Sequence, residues 1–145
     1  MRRELSRGDL PVAEEALVLD ALVTHALTVG DADLRPELEA LARRALLLAP
    51  SDTLTGSHGA ALVEMGRHGE GKAVLEALIA RGRLNPFDRF MTEVHLARAE
   101  CCLGDREAAA RWAVAARKSA EICATPAVAC MLARMEAELA SAMLA

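Results

Sequence analysis

Apolar residues recur every three or four positions along most of the chain, and short turns containing glycine or proline interrupt this pattern. Such spacing is typical of amphipathic helices that each bury one face. It predicts seven helices, over residues 11–29, 33–49, 53–65, 69–84, 88–103, 105–123 and 126–144.

The turns recur at a nearly constant interval. Gly30, Gly66 and Gly104 each follow an apolar-periodic segment and lie 36 and then 38 residues apart. A glycine at this point can adopt the left-handed conformation that ends a helix. The interval matches the length of a helix hairpin. We therefore expect one helical domain over residues 11–145, built from hairpins over 11–50, 51–86 and 87–124 and a capping helix over 126–144.

Two prolines end the first two hairpins. Pro50 and Pro86 have no amide proton and a fixed φ, so a helix is expected to end before each of them. Asp52 and Asp88 follow two residues later, where a helix N-cap is expected.

The last predicted helix starts with Thr125 as N-cap and Pro126 at the first helical position. One face of it is apolar and includes Val128, Leu132, Met135, Leu139 and Met143. This helix either caps the last hairpin, as the end of a repeat array requires, or presents its methionines to a partner or to a second copy in a homodimer.

Residues 52–86 resemble a tetratricopeptide repeat. Gly59 matches the small residue between the two helices of that repeat, Leu62 a packing position, and Gly66 the turn. The third hairpin matches less closely, through Leu96, Ala97, Gly104, Asp105 and Trp112, and the first hairpin only weakly. The resemblance covers residues 16–122 and implies an all-α, right-handed superhelix of three hairpins. A generic stack of helical hairpins is the alternative.

The resemblance also implies an inner groove lined by the first helix of each hairpin, where a peptide or helix of a partner protein binds. The groove positions of this chain are then Asp20, Thr24, Leu27, Thr53, Ala60, Val63, Glu64, Met91, Val94, His95 and Arg98. The Lys and Asn residues with which some family members hold a peptide carboxylate are missing from this set. The alternative is that these positions only pack against neighbouring helices or a second copy of the chain.

Composition and charge narrow the function further. The chain is 53% hydrophobic and only 2% aromatic, which favours helices over strands. A net charge of −4 gives no electrostatic reason to expect nucleic acid as a partner. Acidic residues interrupt the N-terminal tail, residues 1–10, as they would not in a signal peptide, and no apolar segment is long enough to cross a membrane. We expect a cytoplasmic protein, and the Ala, Arg and Leu content favours a bacterial source.

The cysteines are the remaining candidates for chemistry. Cys101 and Cys102 form no Cys-x-x-Cys motif, point about 100° apart on a helix, and lie at the helix end that disfavours a thiolate. We expect all four cysteines to be buried packing residues. Glu136 and Glu138 are expected to be solvated.

The sequence contains no recognisable catalytic, cofactor or metal motif. The preferred interpretation is a non-catalytic interaction module, a scaffold or adaptor without cofactors. Three alternatives remain open. The chain resembles type III secretion chaperones in size and class, so it could hold an aggregation-prone client. It could also be a structural homodimer or a thiol-based redox sensor.

Overall fold

The computed structural model describes residues 11–30 and 33–144. All regular structure in these two stretches is helical, as predicted, and the expected N-terminal tail lies outside them. The helices are α1 Val12–Val29, α2 Leu38–Leu48, α3 Asp52–Glu64, α4 His68–Arg81, α5 Pro86–Leu103, α6 Arg106–Ile122 and α7 Pro126–Leu144. A 3₁₀ turn, Arg35–Glu37, precedes α2 and delays its start relative to the prediction. None of the described helices is both long and apolar enough to span a bilayer.

The predicted turn glycines are confirmed. Gly30, Gly66 and Gly104 have φ values of 69°, 88° and 89°, in the left-handed region that side chains disfavour. A further glycine with positive φ, Gly82, ends α4 at Arg81 rather than at residue 84.

The predicted N-caps of α3 and α5 are wrong. The Ser51 hydroxyl accepts the Leu54 N–H at 3.1 Å, and the Asn85 side-chain oxygen accepts the Asp88 N–H at 2.9 Å. Asp52 and Asp88 instead lie in the first turns of their helices. An acidic side chain is favourable there because it faces the positive end of the helix dipole.

The helices pack as three successive hairpins, α1 with α2, α3 with α4, and α5 with α6. Each hairpin contacts the next through α2 on α3 and α4 on α5, and α3 also contacts both α1 and α5. The first helices of the three hairpins therefore lie side by side. We call the surface that they share the inner face; it includes Leu27, Glu64, Met91, Val94 and Arg98.

Two glycines bring α3 and α4 into close contact. A Cβ atom on Gly59 would lie 2.7 Å from the Cδ2 atom of Leu75, and one on Gly71 would lie 2.8 Å from the Gly59 carbonyl oxygen. Neither distance is compatible with a side chain. Gly59 thus lies between the two helices of its hairpin, where the resemblance expects a small residue.

The last helix, α7, packs on α5 and α6 and also on α1. Its buried side chains are Val128, Met131 and Met135, which join the main hydrophobic core. The apolar face predicted from the sequence is therefore rotated, since Leu132 is half-buried and Met143 is exposed. Helix α7 contacts both the inner face and α6. Most of its methionine-bearing surface is therefore buried against other helices of the same chain.

Candidate functional site

The predicted groove residues lie on or behind the inner face, and α7 and neighbouring helices cover most of them. Thr53 is exposed, and Asp20, Thr24 and Arg98 are half-buried. The buried members are Leu27, Ala60, Val63, Glu64, Met91, Val94 and His95.

Two different neighbours cause this burial. Leu27, Met91 and Val94 share the main core with Met131 of α7. Val63 instead packs with side chains of α4 and α5, in a separate cluster. Part of the predicted groove is therefore ordinary hairpin packing, and part of it is a surface that receives a helix.

Four alternating charges link the inner face to α7, and we call them the charge cluster. Arg98 donates from Nη1 to the Glu64 carboxylate and from Nε to the Glu138 carboxylate, both at 2.7 Å. Arg134 donates from Nη2 to the other Glu64 oxygen at 3.1 Å. Each carboxylate therefore faces a guanidinium, and α7 contributes one charge of each sign.

The two members from the inner face are strongly desolvated, with side chains 4% exposed for Glu64 and 11% for Arg98. Burial alone raises the pKa of Glu64, but Arg98 and Arg134 outweigh it and the net shift is downward. Burial lowers the pKa of Arg98, but Glu138 and Glu64 reverse the shift. Both groups therefore stay charged and need their partners, because breaking a buried pair costs about 3–5 kcal/mol.

A neutral histidine lies beside this cluster. His95 is fully buried, and its Nδ1 donates to the Met91 carbonyl oxygen at 2.8 Å. Within the described residues, its Nε2 has no hydrogen-bond partner. Burial, together with the adjacent Arg98, lowers the pKa of His95 to about 4. The inner face therefore carries an uncharged imidazole at neutral pH.

Two arginines donate hydrogen bonds to backbone carbonyl groups at the C-terminal ends of α1 and α3. Arg134 donates from Nη1 to the Leu27 carbonyl oxygen at 2.9 Å, and Arg35 donates from Nη2 to the Glu64 carbonyl oxygen at 3.3 Å. The last carbonyls of a helix have no partner within the helix, and they carry its negative dipole end. The guanidinium of Arg134 therefore donates both to a free carbonyl oxygen at the end of α1 and to the Glu64 carboxylate.

Sequence reasoning missed Arg134 and Arg35. The Glu138 side chain is 41% exposed, as its expected solvation requires, but the sequence did not indicate its ion pair with Arg98. A signal was present for two of these residues. Arg134 and Glu138 each lie three positions after a buried methionine of α7, and therefore on its packed face. The sequence did not indicate which surface that face would contact.

A second set of polar residues lies at the end of the inner face that is away from the charge cluster. The Ser57 hydroxyl donates to Asp20 at 2.6 Å, and the Thr53 hydroxyl donates to Asp88 at 2.7 Å. Burial raises the pKa of Asp20, and the nearby Asp88 carboxylate adds to the shift. The hydroxyl donors satisfy both carboxylates, so this end is acidic and internally hydrogen-bonded.

The cysteines are not the buried packing residues that the sequence suggested. Cys101 and Cys123 are partly exposed, and Cys102 and Cys130 are exposed. Burial, and then the Cys101 thiol, raise the pKa of Cys102, while burial raises the pKa of Cys123. A raised pKa disfavours the reactive thiolate. In the described stretches, no three His, Cys, Asp or Glu side chains are placed to hold a metal ion together.

Comparisons with protein-family models, with curated proteins and with solved structures found no match. The tetratricopeptide resemblance therefore rests on this chain's turns, glycine positions and helix order.

Proposed function

We propose that this chain is a non-catalytic, tetratricopeptide-like interaction module that binds a helix of a partner protein on its inner face. In this proposal the three hairpins stack with the right-handed superhelical twist of that family. The observation that supports it most is the packing of α7. Three of its apolar side chains are buried in the core that it shares with the inner face. Two of its charges pair with that face, so the face is complementary to a helix.

The state of the polar groups favours binding over catalysis. Glu64 and Arg98 are held in ion pairs, and His95 is buried and neutral at pH 7. A general base or nucleophile needs a matched pKa and access to substrate. The groups on this face instead resemble the desolvated charge pairs and apolar anchors of a protein interface.

Site-specific photo-crosslinking tests this proposal directly. A benzophenone amino acid replaces Thr24, which is half-buried on α1, and in a matched control it replaces Lys118, which is exposed on α6. Each variant is irradiated in lysate of the source organism, and adducts are identified by mass spectrometry. We expect one protein adduct from position 24 and none of that protein from position 118. Equal capture at both positions, or no protein adduct at either, would contradict the proposal.

A further inference from the structure

The last helix is packed unevenly. Val128, Met131 and Met135 are 2%, 2% and 0% exposed, whereas Met143 and Leu144 in the last turn are 71% and 90% exposed. A short connection, residues 123–125, joins α7 to α6. The fully buried side chains therefore lie in the first half of the helix, and its last turn is largely exposed. Segments with fewer buried apolar contacts open locally at a lower free-energy cost.

Removing α7 would leave a surface with specific requirements. Leu27, Met91 and Val94 would lose the apolar side chains of α7 that share their core. Glu64 would lose Arg134, and Arg98 would lose Glu138. An open inner face therefore favours a replacement that supplies apolar anchors, one cation and one anion in the same order.

We propose that α7 is an exchangeable occupant of the inner face, and that the partner helix which replaces it carries the same order of groups. That order is apolar, apolar, basic, apolar and acidic at relative positions 1, 4, 7, 8 and 11, as in Val128, Met131, Arg134, Met135 and Glu138. This inference rests on the proposed function, because it requires that the inner face bind a partner helix.

The charges provide the selectivity of this surface. A helix with the acidic and basic positions exchanged would place a carboxylate against the buried Glu64 and a guanidinium against the largely desolvated side chain of Arg98. Like charges in desolvated positions are strongly unfavourable, so such a helix is rejected even when its apolar face fits.

Competition by α7 sets the apparent affinity. A partner helix binds only the fraction of molecules in which α7 has left, so its apparent dissociation constant rises as that fraction falls. Loosening α7 without changing α1, α3 or α5 should therefore tighten binding of the partner helix. Met135→Asp has this effect because it places a charge at the most buried position of α7.

Fluorescence anisotropy with two labelled peptides tests the proposal. The first peptide is residues 125–144 with Cys130→Ser, and the second also carries Arg134→Glu and Glu138→Arg, so its composition is matched. Both are titrated with the full chain and with its Met135→Asp variant. We expect the first peptide to bind the variant at least about 10-fold more tightly than the unmodified chain. We expect the charge-exchanged peptide to bind the variant at least about 10-fold more weakly than the first.

A second, milder variant keeps the test decisive if Met135→Asp fails to fold. The full chain with Arg134→Gln keeps every apolar side chain of α7 and loses only its cation, and circular dichroism shows whether each variant keeps its helices. We expect the first peptide to bind this chain more tightly than the unmodified one, although by a smaller factor than with Met135→Asp.

The possible failures are distinguishable. Equal affinity for the two peptides would overturn the charge selectivity while leaving helix binding intact. Equal affinity for the unmodified and loosened chains would overturn the exchange. Absence of binding to every folded chain would overturn both the exchange and the proposed function. A dimer of the unmodified chain that the peptide dissociates would make α7 of a second copy the occupant, and would also overturn the proposal.

Discussion

Gly71→Ala should destabilise the protein although alanine is the better helix former. Gly71 is a buried residue of α4, and an added Cβ atom would lie 2.6 Å from the Cγ2 atom of Val63 and 2.8 Å from the Gly59 carbonyl oxygen. The second contact is with backbone, which cannot rotate away. Relief therefore requires α3 and α4 to move apart, and α3 carries Glu64 of the charge cluster.

Two opposing effects set the size of the change in the free energy of unfolding. Replacing glycine by alanine inside a helix is worth about 1 kcal/mol in favour of folding. Overpacking a close contact costs about 1–3 kcal/mol, and contact with a fixed backbone oxygen places Gly71 near the upper value. The expected net loss is about 2 kcal/mol in the free energy of unfolding.

Gly69→Ala is the matched control. Gly69 lies in the same helix, and a Cβ atom there would meet nothing within 4 Å. This substitution should be neutral or stabilising by up to about 1 kcal/mol. Urea unfolding followed by circular dichroism measures both variants. A Gly71→Ala variant as stable as the unmodified chain would refute the close packing of α3 on α4.

Three further predictions concern stability. Because the pKa of His95 is about 4 in the folded chain and near 6.5 when unfolded, the unfolded state binds the extra proton. Stability should therefore fall by about 2 kcal/mol from pH 7 to pH 5, and His95→Gln should reduce this loss; an unchanged pH profile would contradict it. Arg134→Gln should cost about 2 kcal/mol and Arg111→Gln, in an exposed pair, about 0.5 kcal/mol or less; equal losses in urea unfolding would argue against the charge cluster. Asn85→Ala should lower the melting temperature through a cap loss of about 1 kcal/mol, and no shift would show that the cap is unimportant.

The helices and their turns were largely predictable because their signals are local. A glycine that needs positive φ, such as Gly30 or Gly104, shows where a helix ends, and apolar spacing shows which face is buried. The N-caps were harder to predict. Ser51 and Asn85 lie only one and three residues from the predicted Asp52 and Asp88, and Ser, Asn and Asp all favour this position.

The candidate site was less predictable because it depends on contacts between distant segments. The resemblance placed Glu64 and Arg98 in the same groove, and the structure joins their side chains at 2.7 Å. The packing of α7 over that end, through Arg134 and Glu138, depends on the angle between hairpins. The exposed Cys102 shows the same limit, since a residue at a helix end is buried only if another element covers it.

Hydrogen exchange tests the central claim most directly. An isotope-labelled full chain is measured by mass spectrometry with and without an excess of the residue 125–144 peptide, so that the two copies of the α7 sequence differ in mass. The account predicts faster exchange in the chain's own residues 126–144 when peptide is present, with α3 and α5 equally protected in both samples. Unchanged protection of α7 at saturating peptide, or loss of protection throughout the chain, would contradict it.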